Sequence, residues 1–213
     1  VALDANPQAV LAYCGWQNIG LPDPQGLPFV PPDYETPDKQ RVLFAHCRWP
    51  IHAALARTAP LQATGGFPTH LQNAEDYVVW LELAARSPIV RVPEVLACYH
   101  IHSPTQASAQ RARAALQLLT AQLEYLDRHP DFARSLGKDQ RTIPYQGLLS
   151  AGFEAYWARD LATARILFRR VMQAGFGNAT DWVYMLPALL PLAMHTAILR
   201  ALDRRPTRRR GLR

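Results

Sequence analysis

The chain of 213 residues has few cysteines, almost no lysine and no long apolar run free of interruptions. Its three cysteines, Cys14, Cys47 and Cys98, are odd in number and far apart. This spacing argues against a disulfide framework or a metal site and predicts reduced, mostly buried thiols. No signal-peptide pattern is found at the start of the sequence, and we expect a cytoplasmic protein.

The positive charge comes almost entirely from arginine. The net charge is +6, and only Lys39 and Lys138 among the 23 basic residues are lysines. The arginines are scattered without a nucleic-acid-binding motif, so we predict no nucleic-acid partner. They concentrate only in residues 204–213, which the sequence predicts to be a disordered basic tail.

An uncharged stretch precedes this tail, at residues 182–199. Its length is at the lower limit for a membrane span, but Pro187, Pro191 and His195 interrupt it. Two interpretations stay open. Residues 182–213 make a peripheral contact with the inner membrane face, or a proline-bent helix covers other helices and the tail is solvated.

Hydrophobic periodicity predicts an α/β region over residues 1–110. The pattern gives strands and helices in the following order: strand 9–19, a proline-rich loop 20–37, helix 37–46, strand 49–55, helix 58–64, helix 75–86, and short strands 89–92 and 95–102 on either side of Pro93. A long helix is predicted over residues 108–128.

The predicted character changes to all-helical over residues 111–203. Residues 143–157 and 161–174 form a predicted helical hairpin joined across Arg159 and Asp160. The hairpin is similar to one unit of a helical repeat, but a solenoid needs about three units.

Three blocks of sequence together resemble a known family. They are LDANPQAVLAYCGW at residues 3–16, GGFPTHLQNAEDYVVWLEL at 65–83 and VPEVLACYHIH at 92–102. In this order they resemble the carboxyl-terminal half of the catalytic domain of family 2 glycosyltransferases, over residues 1 to about 110. The resemblance implies a partial GT-A-like fold and inverting transfer of a sugar from a nucleotide sugar to a hydroxyl of a glycan or lipid-linked acceptor. It also implies a divalent cation, Mg²⁺ or Mn²⁺, in the complete enzyme, and a place in bacterial polysaccharide or lipid-glycan assembly.

Glu75 and Asp76 are the candidate catalytic residues. Both fall in the first turn of a predicted helix, where backbone N–H groups and the helix dipole favour ionised carboxylates. Capping alone explains such acids, with Asn73 as the residue at the cap. The resemblance implies that Asp76 is the general base for the acceptor hydroxyl and that Glu75 is its neighbour.

Gly65, Gly66 and Trp80 are the candidate substrate-binding residues. The two glycines suit the left-handed position after a helix, and the absence of a Cβ also suits a close approach to the acceptor. Trp80 falls on the apolar stripe of helix 75–86, where core packing is favoured over stacking on a sugar.

His102 is the candidate metal-binding residue. His100 and His102 alternate along a predicted strand, so both imidazoles point to one side, although two ligands do not complete a site. By resemblance, His102 occupies the family's histidine near the diphosphate and its cation. His100 stands where an arginine is usual, and Glu82 likewise replaces an arginine.

The Asp-x-Asp pair that holds the cation in this family does not occur in the sequence. Asp33-Tyr34-Glu35 is the nearest approach, and it lies in the proline-rich loop. Together with the start at Val1, this predicts a fragment of a transferase with little independent turnover. The alternative is a non-enzymatic helical interaction module with a vestigial transferase-like domain.

Overall fold

A computed structural model describes residues 1–100 and 105–203, which form two compact units. The first unit is Val1–Pro144, and the second begins at Tyr145. Residue 110, the predicted boundary, lies inside a helix of the first unit. Tyr125 and Leu126 of this helix are buried in the core of that unit, which therefore extends beyond the α/β region expected from the sequence.

In its described residues, the first unit combines three strands with short and long helices, which confirms the predicted α/β class. Its elements are, in order, α1 (Ala2–Ala5), β1 (Leu11–Ile19), α2 (Lys39–Ala45), a 3-10 turn (Ile51–Ala53), β2 (Ala54–Ala56), α3 (Thr58–Ala63), α4 (Glu75–Arg86), β3 (Ile89–His100), α5 (Thr105–Arg128), α6 (Pro130–Leu136) and the start of α7 (Asp139–Trp157).

The described strands form a small mixed sheet in the order β2-β1-β3. β1 is antiparallel to β2 and parallel to β3, with Leu11 opposite both Ala56 and Ile89. A parallel pair needs a long crossover connection, and the segment containing α2, α3 and α4 provides it. The predicted strand 9–19 is confirmed as the central strand of this sheet.

The two strands predicted around Pro93 form one strand with an irregular register. Cys14 lies opposite Val92 and Gly15 lies opposite Val95, so Pro93 and the residue after it are extra residues in β3. A bulge accommodates a proline because its missing N–H is not needed there. At Gly15 an added Cβ would lie 2.7 Å from the Phe29 carbonyl oxygen, so the bulged sheet requires glycine at this position.

The prediction of a strand over residues 49–55 is wrong for most of its length. Only Ala54–Ala56 pairs with β1, and a 3-10 turn precedes it. Trp49 is instead a core residue, with its ring stacked on Tyr13 at a centroid distance of 4.2 Å. Its burial therefore comes from ring packing rather than from strand pairing.

The Tyr13 side chain also fixes the proline-rich loop. Its hydroxyl accepts a hydrogen bond from the Tyr34 N–H at 2.7 Å and lies 3.2 Å from the Pro32 carbonyl oxygen, to which it donates. The loop thus ends against the same aromatic cluster that holds Trp49. Trp49 of this cluster lines the candidate site described below.

The second unit contains the predicted helical hairpin. The remainder of α7 and α8 (Leu161–Gln173) are joined at Arg159, whose φ is 62°, and Asp160 caps α8 by accepting the Thr163 N–H at 3.1 Å. The fully buried Phe168 ring packs against Gly152, where an added Cβ would lie 2.7 Å from a ring carbon. The two helices therefore approach closely at Gly152.

Residues 182–199 form part of a bent helical segment in the second unit. α9 (Ala179–Met185) is followed by a 3-10 turn (Leu186–Leu189) and by α10 (Leu192–Asp203). Met185, Ala188 and His195 are buried, and Arg169 of α8 donates to the Ala188 carbonyl oxygen at 2.8 Å. Among the described residues, no helix has the length and apolar character needed to cross a membrane. The basic tail, residues 204–213, lies outside the described residues.

Candidate functional site

Glu75 and Asp76 open helix α4, as predicted. Tyr77, Trp80 and Leu81 bury the apolar face of this helix in the core of the first unit. The predicted cap is wrong. Ala74 occupies the N-cap position without a side-chain hydrogen bond, and Asn73 donates its amide to Gln117 Oε1 at 3.0 Å. Asn73 thus connects the start of α4 to α5, and the first-turn carboxylates have no capping asparagine before them.

The Asp76 carboxylate is half-buried, and its surroundings raise its pKa. Burial is the largest cause, and the negative charge of Glu75 adds to it. Backbone N–H groups act in the opposite direction, including that of Tyr77, which donates to Asp76 Oδ1 at 2.7 Å. The low pKa expected from the helix N-terminus is therefore overcome by desolvation, and the raised value suits a group that must accept a proton.

Because the Asp76 pKa is raised in the folded protein, the ionised carboxylate lowers the free energy of unfolding by an amount that depends on pH. A carboxyl with a higher pKa in the folded state stabilises the fold below its unfolded value of about 3.9, and this contribution is lost as the pH rises through the folded pKa. We expect Asp76→Asn to be more stable than the wild type at neutral pH. The difference in the free energy of unfolding should shrink as the pH falls through the raised folded pKa toward about 4. Urea unfolding of both proteins across this pH range measures it, and a difference that grows on acidification would contradict it.

Glu75 carries a second unusual carboxylate. Its Oε2 atom is buried and has no hydrogen-bond partner among the described residues. Its negative charge lies at the start of α4 beside Asp76 and is one of the causes that raise the Asp76 pKa.

Asp76 forms part of the wall of a cavity of about 460 Å³ in the first unit. The cavity is rich in aromatic and polar side chains, and its other lining residues are Trp16, Asn18, Cys47, Arg48, Trp49, Pro50, Ile51, His52 and Tyr99. His52 and Tyr99 are both exposed and stack face to face, with centroids 5.0 Å apart and planes inclined by 10°. We call this the Asp76 cavity. A carboxylate beside flat aromatic surfaces is chemically suited to a polyhydroxylated ligand.

The Cys47 thiol is a second candidate reactive group in this cavity. It donates to the Trp49 carbonyl oxygen at 3.2 Å and lies 4.0 Å from Asp76 Oδ2. Burial of the thiol and the Asp76 charge raise its pKa to about 12. A protonated thiol is a poor nucleophile, so the geometry favours Asp76 as the reactive group. The prediction that the cysteines are mostly buried is wrong, since Cys47 and Cys98 are exposed as whole residues and Cys14 is partly exposed.

Gly65 and Gly66 have the left-handed conformation predicted for them. Their φ angles are +87° and +74°, directly after α3 and its C-cap residue Thr64. No atom lies within 4 Å of a Cβ added to either glycine. The turn therefore requires glycine for its backbone conformation rather than for a close contact.

The two glycines line a second cavity, of about 550 Å³, which Asp76 does not line. Its wall contains a His70–Glu124 pair at 2.9 Å and the carboxylate of Glu82. The structure therefore does not bring the predicted catalytic and substrate-binding residues into a single cavity.

Trp80 is a core residue in this structure, 6% exposed. Its ring meets that of Phe67 edge to face, with centroids 6.1 Å apart, and the indole Nε1 is buried without a hydrogen-bond partner among the described residues. Trp80 therefore packs against Phe67, which connects the GGF segment to α4.

Glu82 explains one departure from the family pattern. The residue is 3% exposed, and its Oε1 atom lies 2.7 Å from Arg128 Nη1 and 2.8 Å from His129 Nε2. Arg86 lies 3.5 Å from Oε2. An acid at this position pairs with Arg86 of α4 and Arg128 of α5, where an arginine would meet like charges.

The predicted metal ligand His102 lies outside the described residues. His100 ends β3 and is exposed. Within residues 1–100 and 105–203, no group of three or more histidine, cysteine or acidic side chains is arranged to hold a metal ion.

Sequence reasoning missed most of the Asp76 cavity. Besides Asp76, only Trp16 and Tyr99 belong to blocks that the sequence singled out, whereas Cys47, Arg48 and His52 carry no local pattern. Comparison with known proteins adds no residue, since no family model, curated protein or solved structure matches the chain.

Proposed function

We propose that the Asp76 cavity is the acceptor side of an inverting glycosyltransferase. The observation that carries the proposal is the half-buried Asp76 carboxylate, with its raised pKa, in the wall of a cavity bounded by aromatic side chains. The three sequence blocks resembling family 2 glycosyltransferases support it, because the resemblance implies the same residue as the base. The free thiols favour a cytoplasmic location for this activity.

The reaction needs one proton transfer from the acceptor. An acceptor hydroxyl in the cavity donates its proton to the Asp76 carboxylate while its oxygen attacks the anomeric carbon of the donor sugar. The new C–O bond forms as the bond between that carbon and the diphosphate oxygen breaks, so the nucleoside diphosphate leaves from the opposite face with its electron pair. A base whose pKa is raised toward neutrality accepts the proton more readily than an ordinary aspartate.

The stacked pair of His52 and Tyr99 gives the acceptor a flat surface to lie on. Burial lowers the pKa of His52, so the imidazole is neutral at pH 7 and does not repel a cation or attract an anion strongly. A neutral aromatic platform beside a carboxylate fits an uncharged sugar ring. Gly65 and Gly66 line the other cavity, and we propose that they contact a different part of the acceptor.

The described residues do not fit the divalent cation that the resemblance implies. Asp33 and Glu35 are the nearest approach to an Asp-x-Asp pair, and both carboxylates have structural partners. Asp33 Oδ1 accepts the Glu35 N–H at 2.9 Å, and Glu35 pairs with Lys39 at 2.8 Å and accepts the Ile89 N–H at 2.8 Å. We propose that the donor diphosphate is bound by groups other than these two carboxylates.

The proposal predicts acceptor binding by the chain itself. Saturation-transfer NMR with a panel of uncharged methyl hexosides and N-acetylhexosaminides should detect at least one ligand. Truncation of a central aromatic contact costs fivefold or more in affinity as a rough guide, so Tyr99→Ala should weaken this ligand by about that factor.

Trp157→Ala is the matched control, since Trp157 is an exposed aromatic residue of the second unit, 58% exposed. It should leave the affinity unchanged. The absence of any bound glycoside, or equal losses in both variants, would instead favour the non-enzymatic interaction module.

A further inference from the structure

The bent segment of the second unit exposes five large apolar side chains. Their exposed fractions run from 46% to 68%, and the residues are Val183, Leu186, Leu189, Leu192 and Met194. We call them the apolar ridge. A single exposed apolar side chain is ordinary, but five within twelve residues indicate a surface that contacts something other than water.

The ridge lies on the exposed side of a segment whose other side is buried. Val183, Leu186 and Leu189 follow one another at intervals of three, which brings them to one side of a helix that continues into a 3-10 turn. The alternate positions Met185 and Ala188 are fully buried. The segment therefore covers its neighbours with one side and leaves the ridge open.

The second unit carries the net positive charge of the chain. From residue 145 onward there are eleven arginines and four acids, a net charge of +7, whereas twelve basic and thirteen acidic residues before it give −1. Six of the arginines fall within residues 204–213, directly after α10, the helix that carries Leu192 and Met194 of the ridge. No charged residue interrupts residues 182–199.

We propose that the apolar ridge and the arginines after it form a peripheral contact surface for a bilayer with anionic headgroups. The ridge is apolar enough to enter the headgroup and acyl boundary, and clusters of four to eight basic residues beside such a surface bind anionic lipids. Arginine suits this contact because its planar guanidinium pairs with phosphate oxygens in two parallel hydrogen bonds. The proposal does not rest on the proposed function.

Vesicle flotation of the full chain tests the proposal. The wild type should float with vesicles of phosphatidylcholine mixed with phosphatidylglycerol and should remain mostly unbound with phosphatidylcholine alone. Changing Arg208, Arg209 and Arg210 together to glutamine should lower the partition coefficient by about a hundredfold, or about fivefold for each arginine. The combined variant Val183→Ser, Leu186→Ser and Leu189→Ser should lower it by roughly tenfold or more.

Ile166→Ser is the control for the serine variant, since Ile166 is also an exposed aliphatic residue of the second unit, 49% exposed. It should bind vesicles as the wild type does, and circular dichroism should show all variants folded. Equal partitioning of the wild type onto both vesicle types would overturn the proposal.

Two other results would assign the surface to a different partner. If the serine variant binds vesicles normally while the glutamine variant does not, the tail acts as a simple polycation and the ridge is no membrane contact. If size-exclusion chromatography shows an oligomer that the serine variant disrupts, and no vesicle binding occurs, the ridge is an interface between copies of the chain.

Discussion

Asp76→Asn should abolish nearly all sugar transfer while the protein stays folded. General-base catalysis contributes about 10²–10⁴-fold to a rate, and an amide cannot accept the acceptor proton. The amide oxygen can still accept the Tyr77 N–H, and the loss of a partly buried charge relieves desolvation, so the fold has no reason to weaken. The measurement is the rate of sugar transfer from nucleotide sugars to the glycoside that binds. The assay uses the polypeptide in the form in which the cell produces it.

Asp131→Asn gives a position-matched control for this experiment. Asp131 is the second residue of α6, as Asp76 is of α4, and its side chain is 92% exposed in an ion pair with Arg134. Its amide variant should transfer sugar at the wild-type rate. Turnover that survives Asp76→Asn would remove Asp76 as the base, and acceptor binding by the same variant separates a chemical defect from a binding defect.

Phe168→Ala should cost about 3–5 kcal/mol in the free energy of unfolding. The ring is fully buried and fills the space that Gly152 leaves between α7 and α8. Its centroid lies 5.2 Å from that of the Phe153 ring and 6.0 Å from that of the Tyr156 ring. Its removal leaves a cavity that the backbone cannot close, because Gly152 has no side chain to fill it. Such a loss is a large part of the usual total of about 5–15 kcal/mol.

Urea unfolding of Phe168→Ala beside Ile166→Ala measures this effect. Ile166 lies on the same helix but is 49% exposed, so its truncation should change the free energy of unfolding by about 0.5 kcal/mol or less. Similar losses in the two variants would mean that the hairpin is not held together at the Phe168 ring.

Local patterns predicted the elements that carry the candidate site, but not the cavity around it. The apolar stripe of α4 and the acids at its start were readable because each lies within one turn of helix. His52 and Tyr99 meet across 47 positions, and nothing near either residue indicates the other. Desolvation of Asp76 is likewise a tertiary effect, so no local pattern indicates that burial exceeds the influence of the helix N-terminus on its pKa.

The resemblance to glycosyltransferases had a similar limit. It drew attention to Glu82 only as a missing arginine, since its partners Arg128 and His129 lie 46 and 47 positions away. The bulge at Pro93 and the 3-10 turn before β2 also depend on how distant segments pair and pack. Each of these features became visible only when the partners were brought together.

The buried Glu82 restricts how this protein can diverge. Replacing Glu82 by arginine would place a positive charge beside the Arg128 guanidinium, so we expect arginine at position 82 to be accompanied by a change at position 128. Homologous chains with arginine at position 82 should therefore carry neutral or acidic residues where α5 ends. Co-variation between position 82 and the end of α5 would then show that the two helices exchanged charges during divergence.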